Sequence, residues 1–208
     1  MKPIDNVKLS SSITVKKYRE MEKAQDRGGL SKFINERLRE RYITPVLTGK
    51  RNGFAIMACA CLLIETLEAF HQGWESTDRK LSRQDISNAC RPTDPKRNRV
   101  SASEVAFCYF FQRERGFADF LPCAEGFYQH VRCGILHQGE TTGGWRFTRS
   151  LKAPLFDKTH KAVNAEKFLR TIDGSLKAYY ARLSSAEWDG AEWVKFRKKM
   201  DAVIKNCA

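Results

Sequence analysis

One pair of residues in this 208-residue chain has the types and the spacing for proton transfer at a phosphate. Arg132 and His137 lie five positions apart within FYQHVRCGILHQGET, residues 127–141. A histidine exchanges its proton near neutral pH, so it can serve as a general acid or base. An arginine can hold a phosphate bidentately and offset the charge that develops on it. The pair therefore predicts a catalytic site, with His137 as base or acid and Arg132 as phosphate ligand.

Three further side chains are candidates for supporting this pair. Gln129 shares a helix face with Arg132, and Cys133 follows it directly. Glu65 lies near the end of a separate apolar helix, where a buried carboxylate would orient the arginine. The alternative is that these residues form no site. Arg132 then lies on the surface, His137 lies at a helix C-terminus because positive charge is favourable there, and Glu65 emerges at the end of its helix.

The charge of the chain favours an anionic partner. Lys and Arg number 37 against 24 Asp and Glu, which gives a formal net charge of +13. A surplus of this size attracts polyanions, of which nucleic acid is the commonest and an anionic membrane surface the second. The alternative is that the charge confers only solubility. The sequence holds no Cys-x-x-Cys pair and no His-Glu-x-x-His motif, so we expect neither a metal site nor a cofactor.

Two basic segments are candidates for contacts with nucleic-acid phosphates. One is the loop of residues 91–99, and the other follows the Arg–His pair and interleaves aromatic with basic residues. Solvated surface charge, and a buried anchor at Trp145, are the alternatives. The candidate cations are Arg91, Lys96, Arg97, Arg99, Arg146 and Arg149.

The elements that position these residues follow an α-helical period. Apolar residues recur at three- and four-residue steps along most of the chain, which predicts an all-α fold. We expect an up-and-down bundle of about five or six helices, with an irregular or short β insertion near residues 140–157. Residues 1–15 are expected to be a flexible N-terminus and residues 16–208 a single helical domain. The most apolar helix, residues 54–72, should lie centrally.

Local signals predict where several helices begin and end. Helices favour Ser, Asp or Asn as the residue that caps the N-terminus, and Gly just beyond the C-terminus. The double glycine at 28–29 should interrupt the first helical stretch. We also expect a helical piece at residues 82–90. The predicted capping residues are Ser101 with Glu104, Asp119, Asn164, Ser184 with Glu187, and the terminating glycines Gly73 and Gly139.

The helix that carries the Arg–His pair has two faces. At about 100° per residue, His137 lies about 140° from Arg132, which itself borders the apolar stripe. Leu136 lies outside that stripe, beside Arg132, and has no evident core role. This second face, with Gln129, Arg132 and Leu136, suggests a partner, and the simplest partner is another copy related by a two-fold axis. We therefore expect a homodimer in which two Arg–His sets meet in one cleft.

The cysteines and the hydropathy indicate the compartment. The chain has seven cysteines, an odd number, so a disulfide framework is not expected and free thiols fit a reducing cytosol. No secretory signal is visible at the N-terminus. The most apolar run, residues 54–64, ends at Glu65 and is well short of the roughly 20 residues of a membrane helix. We therefore expect a cytoplasmic protein with no membrane partner.

Arg132-x4-His137 near the end of a bundle helix resembles the hallmark of the HEPN superfamily, which is Arg, four to six residues, then His. The surroundings are similar too, with LLIETLEAF on a central apolar helix and LHQGE at the end of a late one. The resemblance covers roughly residues 16–183. It implies a metal-independent endoribonuclease, in which the ribose 2′-oxygen attacks its own phosphate at a composite dimer site. Such proteins often act as toxins or antiviral defence effectors, so an antitoxin or a defence-system partner is also implied.

Two positions depart from the family pattern. Members often carry Asn, Asp or His directly after the arginine, where this chain has Cys133, so the usual polar helper is in doubt. Some toxins of the family carry a Tyr two residues after the histidine, and this chain has Gly139 there. A non-catalytic module that binds RNA, a nucleotide or a protein therefore stays open. A third alternative is a helical scaffold whose charge is incidental.

Overall fold

The computed structural model describes residues 3–207 and is predominantly helical, as predicted. The α-helices are α1 (Val15–Lys23), α2 (Arg27–Leu38), α3 (Thr44–Leu47), α4 (Gly53–Gln72), α5 (Ala102–Arg113), α6 (Ala124–Phe127), α7 (Cys133–Gln138), α8 (Ala165–Ser185) and α9 (Ala191–Lys205). Turns of π-helix lie at Arg39–Ile43 and Tyr128–Arg132. The 3-10 helices are Pro3–Asn6, Arg83–Asp85, Asn88–Cys90 and Arg115–Cys123.

Helix α4 lies at the centre, as its all-round hydropathy predicts. It packs against α5, α8, α9 and the π turn at Arg39–Ile43. Its length and composition would let it cross a membrane, but 61% of its most apolar window is buried inside the protein. Among its buried residues are two carboxylates, Glu65 and Glu68, which are 6% and 0% exposed. Burial of this kind requires a charged partner for each carboxylate.

The N-terminal segment is packed where we expected flexibility. Leu9 is fully buried, and the backbone N–H of Ser11 donates to Glu40 at 3.0 Å. A β-bridge between Lys8 and Thr14 closes this segment on itself. Residues 1 and 2, which belong to the same expectation, lie outside the described residues.

The first helical stretch is divided at a different place from the one predicted. Helix α1 ends at Lys23, and Asp26 then caps α2 by accepting the backbone N–H of Gly29 at 2.8 Å. Gly28 and Gly29 therefore lie in the first turn of α2, where a glycine is tolerated, and do not interrupt a helix. The N-cap of Asp26 decides the boundary because it satisfies a backbone N–H that the helix itself leaves free.

Several predicted helix ends are confirmed. Ser101 accepts the backbone N–H of Glu104, and Asn164 accepts that of Lys167, both at 3.1 Å. Gly73 and Gly139 end α4 and α7 with φ of 66° and 69°, in the left-handed region that glycine adopts without steric cost.

Two predicted caps are wrong. Asp119 lies inside the 3-10 helix Arg115–Cys123, where it pairs with Lys158, so it starts no helix. Ser184 belongs to the last turn of α8, and α9 begins later, at Ala191. The hydroxyl of Ser184 donates to the Tyr180 carbonyl of its own helix and is not free to cap α9.

Short strands interrupt the helical fold. The predicted insertion contains β3 (Arg146–Thr148) and β4 (Phe156–Asp157), and β5 (Ala162–Asn164) pairs parallel to β3 and antiparallel to β4. A second sheet was not predicted: β1 (Lys80–Ser82) pairs antiparallel with β2 (Arg99–Ser101). The helical piece expected at residues 82–90 is two 3-10 turns instead.

The expectation of free thiols is wrong for two of the cysteines. Cys90 and Cys108 form a disulfide, with their Cα atoms 5.5 Å apart, within the usual range for such bonds. The disulfide joins the 3-10 turn Asn88–Cys90 to α5. Their sequence separation of 18 residues gives no sign of the pairing, because it depends on the turn packing against that helix. The free cysteines are Cys59, Cys61, Cys123, Cys133 and Cys207.

Candidate active site

The Arg–His pair lies on a helical path that changes its winding at the motif. The path runs without a break from Arg115 to Gln138, through a 3-10 helix, α6, a π turn and α7. The π turn Tyr128–Arg132 ends at Arg132, and the backbone N–H of Cys133 donates to the carbonyl of Tyr128. Turns of π-helix often occur at functional sites, because the wider turn reorients the side chains that it carries.

Arg132 faces inward and pairs with the buried carboxylate of Glu65. Its Nε donates to Oε1 at 2.7 Å, and its Nη2 donates to Oε2 at 3.3 Å. The side chains of Arg132 and Glu65 are 17% and 7% exposed. The remaining nitrogen, Nη1, has no hydrogen-bond partner among residues 3–207. The structure therefore brings Glu65 to Arg132, and it leaves one guanidinium nitrogen for any further ligand.

Two hydroxyl groups from other segments complete the surroundings of Glu65. Ser103 Oγ donates to Oε2 at 2.7 Å, and Thr77 Oγ1 approaches the same atom at 3.4 Å. Sequence reasoning missed both residues. Ser103 lies two positions after the N-cap of α5, and it is separated from Glu65 by 38 residues, so no local pattern connects them. A carboxylate with three donors around it is fixed in position.

The aromatic ring of Tyr128 supports Arg132 from the same helical path. The guanidinium carbon lies 5.5 Å from the ring centroid, which is a cation–π distance. Burial acts to lower the pKa of Arg132. The hydrogen bond and charge of Glu65, together with Tyr128 and Cys133, outweigh burial, so the net pKa is raised and the guanidinium stays charged. Tyr128 was also missed, although its spacing of four residues from Arg132 is the signal for such a contact.

His137 lies apart from this network. It is exposed in the last turn of α7, and its side chain has no hydrogen bond or ion pair with any of residues 3–207. The helical wheel predicted that Arg132 and His137 lie on different sides of the helix. The structure agrees with this prediction, because the arginine points inward and the histidine points outward. A single chain therefore presents a fixed arginine and a free imidazole that share no contact.

The chain beyond the motif folds back over α7. Gly134 allows this approach, since a Cβ atom there would lie 2.5 Å from the carbonyl oxygen of Glu140. His130 then holds the returning segment, because its Nδ1 lies 2.8 Å from Thr142 Oγ1. This contact gives His130 a structural role and leaves His137 as the exposed histidine of the motif.

A cleft opens beside Arg132 and contains the other two support candidates. It has a volume of about 280 Å³, and Gln129 and Cys133 line it with Tyr128. Arg97, Glu104 and Glu125 form the opposite wall. The structure therefore places Gln129 and Cys133 in a solvent-open cleft whose lining residues do not include Arg132 itself.

Two of the predicted phosphate-binding arginines form ion pairs within the protein. Arg97 forms ion pairs with Glu104 and Glu125 at 2.7 and 3.0 Å, and these hydrogen bonds and charges raise its pKa. Arg149 pairs with Glu166 at 3.0 Å and also donates to backbone and amide oxygens. These contacts hold loops to helices.

Arg91 is held by backbone carbonyls. Its Nε donates to the carbonyl oxygens of Arg83 and Ile86, both at 3.1 Å. This brace fixes the start of the 91–99 loop, and the remaining guanidinium nitrogens stay exposed.

The other predicted cations are exposed and unpaired within the described part of the chain: Lys96, Arg99 and Arg146. Arg99 lies on the β1–β2 hairpin opposite Ser82, and two further exposed cations on this hairpin, Arg79 and Lys80, were not predicted. We call Arg79, Lys80 and Arg99 the basic hairpin. It adjoins the Glu65 network, because the backbone N–H of Ser103 donates to the carbonyl of Thr77 at 3.0 Å. These exposed cations therefore lie within a few residues of Thr77 and Ser103, whose hydroxyl groups contact Glu65.

The chemistry available at this site is electrostatic and acid–base. Arg132 and the basic hairpin supply positive charge for a phosphate, and His137 supplies a proton acceptor or donor. Within residues 3–207 no group of His, Cys, Asp and Glu side chains has the arrangement to hold a metal ion. Comparison of the chain with known protein families, with curated proteins and with solved structures finds no match.

Proposed function

We propose that the protein is an endoribonuclease that needs no metal and cleaves RNA by internal attack of the 2′-hydroxyl. The observation that carries the proposal is the contrast between Arg132, which Glu65 fixes, and His137, which is exposed and has no partner among residues 3–207. The fixed arginine suits the binding of a phosphate, and the free imidazole suits proton transfer. The net charge of +13 and the basic hairpin favour an RNA substrate.

In the proposed reaction, His137 takes the proton of a ribose 2′-hydroxyl. The 2′-oxygen forms a bond to phosphorus and the bond to the 5′-oxygen breaks. The departing 5′-oxygen takes a proton from water, and His137 returns its proton to the solvent, which leaves a 2′,3′-cyclic phosphate and a 5′-hydroxyl end. Nη1 of Arg132 donates to the phosphate, since Nε and Nη2 are held by Glu65. One nitrogen therefore replaces the bidentate clamp that the residue type alone suggests.

We also propose that two copies form the active unit, each an up-and-down bundle. The exposed apolar residues near the motif support this arrangement. Leu62 on α4 and Leu136 on α7 are 38% and 41% exposed, and the two helices pack against each other. Burial of these side chains by a second copy would bring His137 of one copy towards Arg132 of the other. A toxin or defence role, with an antitoxin or other partner, remains part of the proposal by resemblance to the HEPN superfamily.

The test is cleavage of single-stranded and hairpin RNA by purified protein in EDTA. We expect products with 2′,3′-cyclic phosphate ends, and a loss of about 10²–10⁴-fold in rate for His137→Ala. His160→Ala is the matched control, since His160 is also exposed but lies outside the motif. RNA that stays intact at high protein concentration, or equal cleavage by His137→Ala, contradicts the proposal.

A non-catalytic RNA-binding module is the second candidate, and the Arg132–Glu65 pair also favours it. Two guanidinium nitrogens in contact with a buried carboxylate are what a structural ion pair requires. This candidate predicts RNA binding that weakens steeply with salt, without cleavage and with no effect of His137→Ala. The same gel series separates the two candidates.

A further inference from the structure

The buried arginine Arg37 on α2 has no charged partner in the described part of the chain. The residue is 8% exposed, and its Nη1 is a buried nitrogen without a hydrogen-bond partner. Among residues 3–207, no carboxylate forms an ion pair with it. A buried guanidinium without an anion is costly, because it has lost its water and gained no compensating contact. Such a side chain indicates a ligand that supplies the missing negative charge.

Arg37 borders a cavity of about 180 Å³ between α2, α4, α9 and the π turn Arg39–Ile43. The π turn contributes Arg41 and Tyr42, and α9 contributes Lys199. No Asp or Glu of the described chain is among the lining residues. The remaining lining residues are Leu38, Thr66, Phe70 and Val203.

The positive charges around this cavity act on one another. Burial, and then the like charge of Arg41, lower the pKa of Arg37 to about 10, although Cys207, Tyr42 and Glu40 favour its charged form. Glu40 is engaged elsewhere, because its carboxylate accepts the backbone N–H of Ser11 at 3.0 and 3.2 Å. The three cations therefore face the cavity without a carboxylate of their own.

The other polar contacts leave donors free. Arg41 donates through Nη2 to the Leu9 carbonyl at 3.2 Å, and Lys199 donates to the Glu75 carbonyl at 2.8 Å. Both side chains have further N–H groups. Thr66 donates its hydroxyl proton to the Leu62 carbonyl at 2.8 Å, so it is not a donor to a ligand. Arg37, Arg41, Lys199 and the Tyr42 hydroxyl are the available donors.

We propose that this cavity binds the phosphate group of a small phosphate ester. Three cations and a phenol match a phosphate group, which carries charge close to −2 near neutral pH and several strong acceptor oxygens. The cavity of about 180 Å³ has room for the phosphate, and Leu38 and Val203 offer an apolar wall for the organic part. The cavity meets α4 at Thr66 and Phe70, on a different face from Glu65, and the proposal does not depend on RNA cleavage.

The test uses the full chain in chloride buffer, with inorganic phosphate or glycerol 3-phosphate added at constant ionic strength. We expect the melting temperature to rise by about 5–10 °C when the ligand concentration is about a hundred times Kd. Calorimetric titration of the same two probes then separates the sources, since an ester site binds glycerol 3-phosphate more tightly than inorganic phosphate.

Arg37→Met removes the buried charge and keeps an unbranched side chain. We expect it to weaken binding of glycerol 3-phosphate by about 10–100-fold, the loss of one charge-assisted hydrogen bond. Lys198→Met, an exposed cation of α9, is the matched control and should bind as the wild type does. Arg41→Gln serves if Arg37→Met does not fold.

Several results would overturn the proposal. One is an equal response of wild type and the variant to glycerol 3-phosphate, and another is an equal loss in Lys198→Met. A third is that only RNA, and neither small probe, binds in an Arg37-dependent manner. Binding is measured in His137→Ala protein as well, so that the result is independent of whether RNA cleavage occurs.

Discussion

Two largely buried arginines lie against different faces of the central helix α4 and have opposite surroundings. Arg132 contacts Glu65, and Arg37 borders a cavity with Thr66, the next residue of the same helix. The first guanidinium lies 2.7 Å from a carboxylate oxygen, whereas the second faces other cations. The difference teaches that burial of an arginine does not identify its role. The identity of its partner does, since consecutive residues of one helix border a self-contained ion pair and a cluster of cations that no carboxylate lines.

The comparison predicts that the paired side of α4 is sensitive to loss of its carboxylate. Glu65→Ala leaves Arg132 and the Ser103 hydroxyl buried without their acceptor. We expect the free energy of unfolding to fall by about 3–5 kcal/mol, because an uncompensated buried charge remains. Urea unfolding followed by circular dichroism measures this change.

A double variant provides the control for this prediction. Glu65→Leu combined with Arg132→Met replaces the ion pair by apolar side chains of similar size. It should be more stable than Glu65→Ala, because no charge is then left without a partner. If Glu65→Ala costs less than about 1 kcal/mol, Arg132 has another route to neutralisation and the contrast with Arg37 fails.

Local signals in the sequence predicted much of the helical framework and its ends. Gly73 and Gly139 terminate helices because each needs only its own backbone freedom. Asp119 met the same kind of local rule and failed, since the chain there winds as a 3-10 helix and its carboxylate pairs with Lys158. Local rules hold where one residue decides the outcome, and they fail where distant packing does.

The candidate site was predictable only in part for the same reason. Arg132 and His137 follow from a short spacing, and Glu65 was a candidate because it ends an apolar run. Its contact with Arg132 spans 67 residues of sequence, so it depends on how α4 meets the π turn. Arg37 gave no signal, because a lack of partners becomes visible only when every neighbouring side chain is in place.

Ser103 and Thr66 provide a smaller test of the same contrast. Ser103→Ala removes a 2.7 Å hydrogen bond to the buried carboxylate, and we expect the free energy of unfolding to fall by about 2 kcal/mol. Thr66→Val removes a hydroxyl that donates only to its own helix, and in phosphate-free buffer it should cost less than about 1 kcal/mol. Urea unfolding of both variants measures the difference. Equal losses would show that the carboxylate network contributes nothing beyond ordinary packing.

The smallest effect concerns His71, a half-buried imidazole near the end of α4. Burial, and then the positive charges of Arg113, Arg182 and Lys195, lower its pKa to about 2. The unfolded imidazole binds a proton as the pH falls below about 6.5, while the folded one does not, so acid favours the unfolded state. This contribution to stability is complete above about pH 6.5 and is lost as the pH falls. Because the side chain is partly exposed, we expect the free energy of unfolding to be lower by only about 1–2 kcal/mol at pH 5.

His71→Phe isolates this effect, because it keeps an aromatic ring against Tyr179, whose centroid lies 4.6 Å from that of His71, and it removes the titration. Urea unfolding at pH 7.5, 6 and 5 should show that the wild type loses more stability than the variant at each step. If the two proteins lose stability in parallel, the imidazole is not held neutral by its cations. A confirmed difference would show a third relation between α4 and positive charge. Glu65 neutralises the charge of a nearby arginine, and the cations of the Arg37 cavity remain available for a ligand. His71 adds no positive charge, because it stays unprotonated.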